Sequence, residues 1–130
     1  MRFMSIYKPG YDGGKPPAEE TMAAMTALIE EMTEKGVFID TGGLQASTHG
    51  ARVKISNGKI TVTDGPFAET KELIGGYAIF EMETLEEAVR WTKRFLEIMS
   101  EGECEIRAMY EPGAEECAAR ETATVSAEQK

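Results

Sequence analysis

Apolar and polar residues alternate with different periods along the chain, and these periods predict its strands and helices. The segment Arg2 to Tyr7 is strand-like and ends at Lys8-Pro9-Gly10, where proline and glycine favour a surface loop that runs to Pro17. From about Ala18 to Lys35, apolar residues recur at three- and four-residue steps, which predicts an amphipathic helix with Gly36 just beyond its end. The apolar stripe of this helix consists of Met22, Met25, Ile29 and Met32.

The middle of the chain is strand-like and contains a strong hairpin signal. Strand character resumes from Val37 to Thr41, and Gly42-Gly43 is expected to break or bulge that strand. The alternation over residues 52–62, interrupted by Asn57-Gly58, predicts a β-hairpin with a type I′ turn. Its apolar register consists of Val53, Ile55, Ile60 and Val62.

Two strands and a helix are predicted after the hairpin. A strand is expected over residues 75–82, and its two leading glycines indicate a bulge or a close approach of backbones. Thr84 and Glu87 form a capping box, in which the hydroxyl and the carboxylate each accept from an unpaired N–H at the start of the second helix. Residues 103–110 alternate as a last strand. The inward stripe of the second helix consists of Leu85, Ala88, Val89, Thr92, Phe95, Leu96 and Met99, with Trp91 beside it.

The order of the predicted elements defines the fold class. Strand, helix, strand, hairpin, strand, helix and strand form an α+β, ferredoxin-like βαββαβ plan with an inserted β-hairpin. Each helix has a single apolar stripe, so both helices cover one face of the sheet. The hairpin and the outer strands then leave an apolar surface on the other face. Homodimerisation by sheet-on-sheet packing would cover it, with a cavity between or beside the two sheets.

Composition and charge limit the classes of function. A chain of 130 residues fits one domain, expected over residues 1–112, followed by an acidic tail over residues 113–130 that is expected to be mobile. The net charge of −9 disfavours direct binding to nucleic acid or to anionic membranes. No apolar run is long enough to cross a bilayer, so we expect a cytoplasmic protein. Cys104 and Cys117 lack metal-site spacing, and with a lone His49 no metal and no cofactor are expected.

The densest cluster of chemical groups lies between the hairpin and the following strand. Pro66 fixes its own φ and pushes Gly65 away from helical conformations, so Asp64 is held at the end of a strand. A carboxylate here is either a functional group or an acceptor for backbone N–H groups in an Asx turn, and both interpretations stay open. His49, in the preceding polar loop, is either a catalytic partner of Asp64 or an ordinary solvated histidine.

Residues 62–72, Val-Thr-Asp-Gly-Pro-Phe-Ala-Glu-Thr-Lys-Glu, resemble the signature of the DGPF-type branch of the YCII-related proteins. The similarity covers about residues 1–112 and leaves the tail outside. Supporting stretches are the opening strand, Gly43-Leu44-Gln45, the Asn57-Gly58 hairpin, Gly75-Gly76-Tyr77 and Gly102-Glu103-Cys104-Glu105-Ile106-Arg107.

The resemblance implies a dimeric α+β barrel in which each subunit contributes a ferredoxin-like sheet. The family's signature aspartate falls on Asp64. The broader family is associated with catalytic His and Asp residues, but the histidine that some relatives have early in the first helix has no counterpart here. His49 lies in a different loop and is offered as a substitute. Some relatives are linked to extracytoplasmic-function sigma factors, which implies such a protein as a partner.

Three classes of function remain open from the sequence. A cofactor-free enzyme would use His49 and Asp64 for acid/base chemistry on a small polar or aromatic molecule. A non-catalytic binding or sensor module would use the same pocket without an acid and a base. A regulatory partner of a sigma factor would act through an exposed edge or the tail. The candidate ligand-binding residues are Lys71, Glu69 and Tyr77, each with the alternative of ordinary surface pairing or local packing.

Overall fold

Two helices pack on one face of a four-stranded antiparallel sheet in the computed structural model, which describes residues 1–13 and 17–110. The strands of this sheet are β1 (Arg2–Lys8), β2 (Phe38–Gly43), β5 (Gly76–Glu81) and β6 (Glu103–Met109). The helices are α1 (Glu19–Glu34) and α2 (Leu85–Met99), and the inserted hairpin consists of β3 (Ala51–Ser56) and β4 (Lys59–Asp64). The sheet order β2-β5-β1-β6 is the ferredoxin-like order, so the predicted fold class is confirmed. The tail predicted over residues 113–130 lies outside the described residues.

The core forms where alternate residues of β1 meet the two helices. Phe3, Ser5 and Tyr7 are buried, whereas the residues between them face away and are half-buried. Burial of one large apolar side chain of this kind stabilises the fold by about 1.5–3 kcal/mol. The buried apolar cluster consists of Phe3, Leu28, Met32, Phe80, Met82 and Ala88.

Helix α1 follows its predicted apolar stripe only in part. Leu28 and Met32 are buried, whereas Met22, at the start of the predicted stripe, is 52% exposed. The helix ends before Gly36, whose φ of +75° is the left-handed conformation that suits glycine. The Glu31 carboxylate on α1 accepts two 2.8 Å hydrogen bonds from the Arg94 guanidinium on α2. This ion pair connects the two helices.

Helix α2 begins with the predicted threonine cap. The Thr84 hydroxyl accepts a 3.2 Å hydrogen bond from the Glu87 N–H, which is one half of the predicted capping box. Ala88 and Thr92 face the core, whereas Leu85, in the first turn, is 49% exposed. The helix ends at Met99, and the residue that caps it, Ser100, has a φ of +69° although it is not glycine.

The hairpin forms a separate two-stranded sheet and does not join the main one. Asn57 and Gly58 both have positive φ, at +52° and +77°, which confirms the type I′ turn. The register pairs Val53 with Val62 and Ile55 with Ile60, so the predicted apolar register is correct. These four side chains are nevertheless 63–69% exposed, because none of the four-stranded sheet lies over them.

The glycines of β2 neither break nor bulge that strand. Gly42 and Gly43 pair with Tyr77 and Gly76 to the end of the ladder, and the irregularity lies earlier, between Phe38 and Asp40. A Cβ atom on Gly76 would lie 2.8 Å from the Gly42 carbonyl oxygen. The close backbone approach predicted for the paired glycines is therefore found.

Candidate functional site

A cleft of about 1190 Å³ opens between the sheet and the two helices. Ser5 and Tyr7 of β1, Leu28 of α1 and Thr92 of α2 contribute to its walls, so it lies on the helical side of the sheet. A volume of this size accommodates a small organic molecule. The aromatic residues in its walls are Tyr7, Tyr11, Phe38, Phe67, Tyr77, Phe80, Trp91 and Phe95.

Three loops close one end of the cleft. One loop follows β1, one follows β2 and one precedes β5. The pairing of strands in the four-stranded sheet brings these three strand ends together, because Tyr7 and Gly43 both pair with Gly76. Backbone hydrogen bonds extend this pairing, since Gly75 donates to the Tyr7 carbonyl at 2.7 Å and Leu44 donates to the Gly75 carbonyl at 2.9 Å. The loops contribute Asp12, Ser47, His49 and Glu72 to the lining of the cleft.

Ser47 joins the three loops through side-chain hydrogen bonds. Its hydroxyl donates to the Asp12 carboxylate at 2.5 Å, and its backbone N–H donates to the same carboxylate at 2.7 Å. The Ser47 hydroxyl also accepts a 2.9 Å hydrogen bond from the Phe67 N–H. The two hydrogen bonds that Ser47 donates to Asp12 hold the pKa of the Asp12 carboxyl below its ordinary value. We call Asp12, Ser47 and Phe67 the loop bridge.

Two glycines allow the bridged loops to pack this closely. A Cβ atom on Gly65 would overlap the carbonyl oxygen of Ser47. The backbone N–H of Gly65 donates a 3.1 Å hydrogen bond to the Gly50 carbonyl. Gly13 has a φ of +73°, and a Cβ atom there would collide with Ala46. The glycine of the DGPF motif is therefore required by contact with the His49 loop.

His49 and Arg52 place two basic side chains in the same wall. His49 ends the 3₁₀ turn Ser47–His49, and Arg52 is the second residue of β3. The Arg52 guanidinium lies 4.1 Å from the centre of the Phe67 ring, a cation–π contact that positions the cation above an aromatic wall. The exposed imidazole and the guanidinium can therefore serve an anionic or acidic group of a bound molecule.

Hydroxyl and thiol groups lie in the deeper walls. Tyr7 donates a 2.9 Å hydrogen bond to the Glu101 carbonyl, and burial, more than its neighbouring charges, raises its pKa to about 12. Burial also raises the pKa of the Cys104 thiol, against a hydrogen bond from Ser5. The Thr92 hydroxyl is buried and has no hydrogen-bond partner within residues 1–13 and 17–110. These groups are protonated at neutral pH and suit hydrogen bonding more than proton transfer.

The structure separates the residues proposed from the sequence. His49 and Tyr77 contribute to the cleft wall, whereas Asp64 and Glu69 are exposed and lie outside it. The Tyr77 hydroxyl donates to Asp40 at 3.5 Å, which is a local contact between β5 and β2. The Lys71 side chain lies outside what the structure describes.

Asp64 lies near His49 along the base of the hairpin. It pairs with Ala51, and the following Gly65 bonds to Gly50, so Asp64 and His49 belong to the same end of the hairpin. Among the hydrogen bonds of the described residues, none involves the Asp64 carboxylate, either with His49 or with a backbone N–H of the turn.

Sequence reasoning missed the residues that connect the loops. Asp12, Ser47 and Arg52 are ordinary loop or strand residues in the sequence, and Phe67 was noticed only as part of the motif. The Ser47–Asp12 and Phe67–Ser47 hydrogen bonds join residues that are 35 and 20 positions apart in the sequence. The periodicity of apolar residues gives no information on contacts between such distant loop residues. The one local signal was composition, because glycine, aspartate and serine concentrate in the segments that meet.

Metal ligation finds no support in the described part of the chain. No group of three or more His, Cys, Asp or Glu side chains there converges closely enough to hold an ion. Cys104 is a free thiol, and Cys117 lies outside the described residues. Neither described helix has the length and apolar character needed to cross a membrane.

The fold and the cleft define a small α+β protein with a ferredoxin-like sheet and a helix-side pocket. The model of the YCII-related domain matches residues 1–111. An uncharacterised protein of Rhizobium meliloti (strain 1021) is 32% identical over 102 residues, which cover 76% of this chain and 82% of that protein. The chain therefore belongs to the YCII-related family, as its DGPF motif indicated.

A solved structure also shares similarity with the chain. It is 5-chloro-2-hydroxyhydroquinone dehydrochlorinase from Burkholderia phenoliruptrix AC1100, in complex with 2,5-dihydroxybenzoquinone. The sequences are 16% identical, and the match covers 87% of this chain and 97% of that chain with a TM-score of 0.48.

Proposed function

We propose that this protein binds a small aromatic or polar molecule in the helix-side cleft and transfers a proton at it. The single observation that supports this proposal is the position of His49 and Arg52 beside aromatic side chains in the lining of the cleft. Aromatic walls favour a planar ligand, because ring stacking adds to apolar burial. A basic side chain beside those walls favours a ligand with an acidic oxygen.

The proposed chemistry assigns one step to each basic residue. The His49 imidazole takes a proton from the ligand and can return it at another atom, as general acid/base catalysis requires. The Arg52 guanidinium stabilises the negative charge that develops on a ligand oxygen during that transfer. Phe67 keeps the guanidinium in place through the contact with its ring.

Asp64 keeps the role proposed from the motif and is assigned as a positioning residue. Its place at the base of the hairpin, close to His49 along the ladder, supports an interaction with the imidazole once a ligand is bound. Catalytic hydrogen bonds often form or tighten only in the complex with the ligand. An Asp64→Asn variant would then lose activity but keep its fold.

Thermal unfolding in the presence of a compound library tests ligand binding. Phenols, aromatic acids and small anionic metabolites are added to wild type, His49→Gln, Arg52→Gln and the neighbouring control Thr48→Ala. Stabilisation follows RT ln(1 + [L]/Kd), so a cleft ligand raises the melting temperature of wild type and of the control. We expect a smaller increase in Arg52→Gln. Equal increases in all four proteins would show that binding occurs elsewhere, and no increase in any would contradict the proposal.

Proton transfer is tested separately by exchange of a ligand hydrogen in D₂O, followed by NMR. We expect wild type and Thr48→Ala to accelerate exchange, and His49→Gln to bind the ligand without doing so. Binding without exchange in wild type would instead establish the non-catalytic binding module. This second function uses the same cleft and differs only in the chemistry.

Assembly is also proposed, because the structure describes one chain. The homodimer expected from the sequence is supported by the exposed apolar face of the hairpin. Association with a sigma factor rests on the family resemblance, and no feature of residues 1–13 or 17–110 favours it over other partners.

A further inference from the structure

We propose that the Thr92 hydroxyl, at the floor of the helix-side cleft, binds a neutral oxygen of the ligand and so determines which ligands the cleft accepts. Ser5 of β1, Thr92 of α2 and Cys104 of β6 all line the cleft, and we call these three residues the cleft floor. The inference rests on the proposed function, in which His49 and Arg52 serve an acidic oxygen of the same ligand.

The Thr92 side chain is buried in a way that costs stability. Only 5% of the residue is exposed, and its hydroxyl has no hydrogen-bond partner among residues 1–13 and 17–110. A hydroxyl that leaves water without gaining a protein partner destabilises the folded state. Valine has nearly the same shape and would fill the position without that cost. The hydroxyl therefore does not stabilise the free protein, which favours a partner from outside these residues.

A second helical threonine shows the usual arrangement. The Thr33 hydroxyl on α1 donates a 2.7 Å hydrogen bond to the Ile29 carbonyl, one turn earlier. The corresponding acceptor for Thr92 is the Ala88 carbonyl, and between these two described residues no such bond forms. Threonine in a helix occupies two side-chain rotamers, one of which permits the bond to the preceding turn. The Thr92 hydroxyl can therefore turn towards a ligand group without breaking a hydrogen bond to its own helix.

Packing of α2 on the sheet brings the three groups of the cleft floor together. Phe95, one turn after Thr92, contacts the Tyr7 ring edge-to-face, with 5.1 Å between the ring centres. Ser5 precedes Tyr7 by two residues on the same buried face of β1, and Cys104 pairs with Tyr7 across the ladder. Ser5 is itself buried, and its hydroxyl donates to the Cys104 thiol. The cleft floor therefore lies where α2 packs on β1 and β6.

The chemistry of the lining selects a neutral group at the cleft floor. The core side chains that line the cleft are apolar, as in Leu28, Met32 and Phe80. In the described lining, the acidic and basic residues belong to the loops and to the start of β3, and they are Asp12, His49, Arg52 and Glu72. A carboxylate or an ammonium at the cleft floor would lose its hydration with no opposite charge beside it. The ligand class is therefore an aromatic compound with one acidic oxygen and a second oxygen that is a neutral hydroxyl or carbonyl.

Calorimetric titration with paired probes tests the contact. Each of the three dihydroxybenzenes has a methylphenol of nearly the same shape, in which a methyl group replaces one hydroxyl. We expect wild type to bind at least one dihydroxybenzene about tenfold more tightly than its methylphenol, because the second hydroxyl bonds to Thr92. Thr92→Val should remove this preference by weakening the dihydroxybenzene alone, and Thr92→Ser should retain it. The control Thr33→Val removes a hydroxyl already bonded to its own helix and should behave as wild type.

Thermal unfolding of the free proteins gives an independent readout. Thr92→Val removes a buried hydroxyl without a partner in the described part of the chain. We therefore expect its melting temperature to equal that of wild type or to exceed it by a few degrees. A clear decrease would show that the hydroxyl is already paired in the free protein and would overturn the inference.

Arg52→Gln separates this inference from the proposed function. It should weaken both members of a probe pair by the same factor, so that the preference set by Thr92 persists. Equal affinities of wild type for both members, or a preference that survives in Thr92→Val, would reject the floor contact and leave the role of Arg52 standing. An effect of Thr92→Val without any effect of Arg52→Gln would reject the role of Arg52 and keep the floor contact. No binding of any probe by wild type would reject both.

Discussion

Gly65 shows what the DGPF motif does for the structure at the level of one residue. The sequence indicated a strand end and a tight loop, and both are present. The contact partner of the loop was not predictable, because Ser47 is 18 positions earlier in the numbering and belongs to a loop without regular periodicity. The glycine is needed because the Ser47 carbonyl occupies the space of a side chain.

Substitution of Gly65 by alanine should therefore be costly. The added methyl group overlaps the Ser47 carbonyl, so one of the two loops must move and the Phe67–Ser47 hydrogen bond must lengthen. We expect the free energy of unfolding to fall by about 2 kcal/mol or more, measured by urea denaturation. The control Gly43→Ala meets no atom within 4 Å and should change stability much less. Equal effects of both substitutions would contradict the contact.

Asp12 predicts a pH dependence of the loop bridge. Hydrogen bonds from Ser47 lower the pKa of this carboxyl from its ordinary value of 3.8, so the unfolded chain binds the proton more readily than the folded one. The stabilisation is complete above pH 3.8 and is lost as the pH falls through the lowered pKa. We expect the stability difference between wild type and Asp12→Asn to be constant at neutral pH and to shrink below pH 3.8, as measured by urea denaturation across pH 3–7.

Ser47→Ala provides the matched test for Asp12. It removes the hydroxyl that makes the larger contribution to the low pKa of the carboxyl. The acid-dependent loss of stability should therefore be smaller in Ser47→Ala than in wild type. An unchanged dependence would assign the effect to other carboxylates, such as Glu31 or Glu81, whose pKa values are also lowered by hydrogen bonds from cationic groups.

Secondary-structure elements followed the sequence wherever the signal was local. The Asn57-Gly58 turn, the Thr84 cap and the glycine beyond α1 depend on a few neighbouring residues, and all three were predicted correctly. The partner of Glu31 depends on packing between helices. Lys35 lies four positions after Glu31 in the sequence, but Arg94, 63 positions away, donates the hydrogen bonds to the Glu31 carboxylate. The cleft likewise depends on how two helices and three loops assemble, which no single element specifies.

The two helix ends give a test of backbone conformation. Ser100 holds a φ of +69° at the end of α2, and glycine adopts that conformation without the Cβ clash. We expect Ser100→Gly to raise the free energy of unfolding by about 0.5–1 kcal/mol and Gly36→Ala to lower it by about 1 kcal/mol. Thermal and urea unfolding of both variants provides the measurement. Since a Cβ on Gly36 meets no atom within 4 Å, conformational strain alone accounts for the second effect.

At the scale of the whole molecule, the hairpin connects assembly to the cleft. The sequence predicted an uncovered apolar face and a homodimer, but it placed the hairpin within one continuous sheet. The structure instead places that apolar face on a separate two-stranded hairpin. Because Arg52 lies at the start of the hairpin and His49 two residues before it, motion of the hairpin moves two basic groups of the cleft wall.

If the apolar face of the hairpin is covered in the proposed homodimer, dimerisation should therefore restrain the cleft. In a monomer, β3 and β4 are held only by each other and by contacts at their base, so local opening of residues 47–52 requires little free energy. We expect amide hydrogen exchange over these residues to be faster in Ile55→Thr/Ile60→Thr than in wild type, and unchanged in Lys54→Ser/Thr61→Ser. Exchange in α2 serves as an internal reference for global stability. Faster exchange in α2 as well would indicate general destabilisation, whereas equal exchange of residues 47–52 in all three proteins would show that the hairpin does not couple the partner to the cleft.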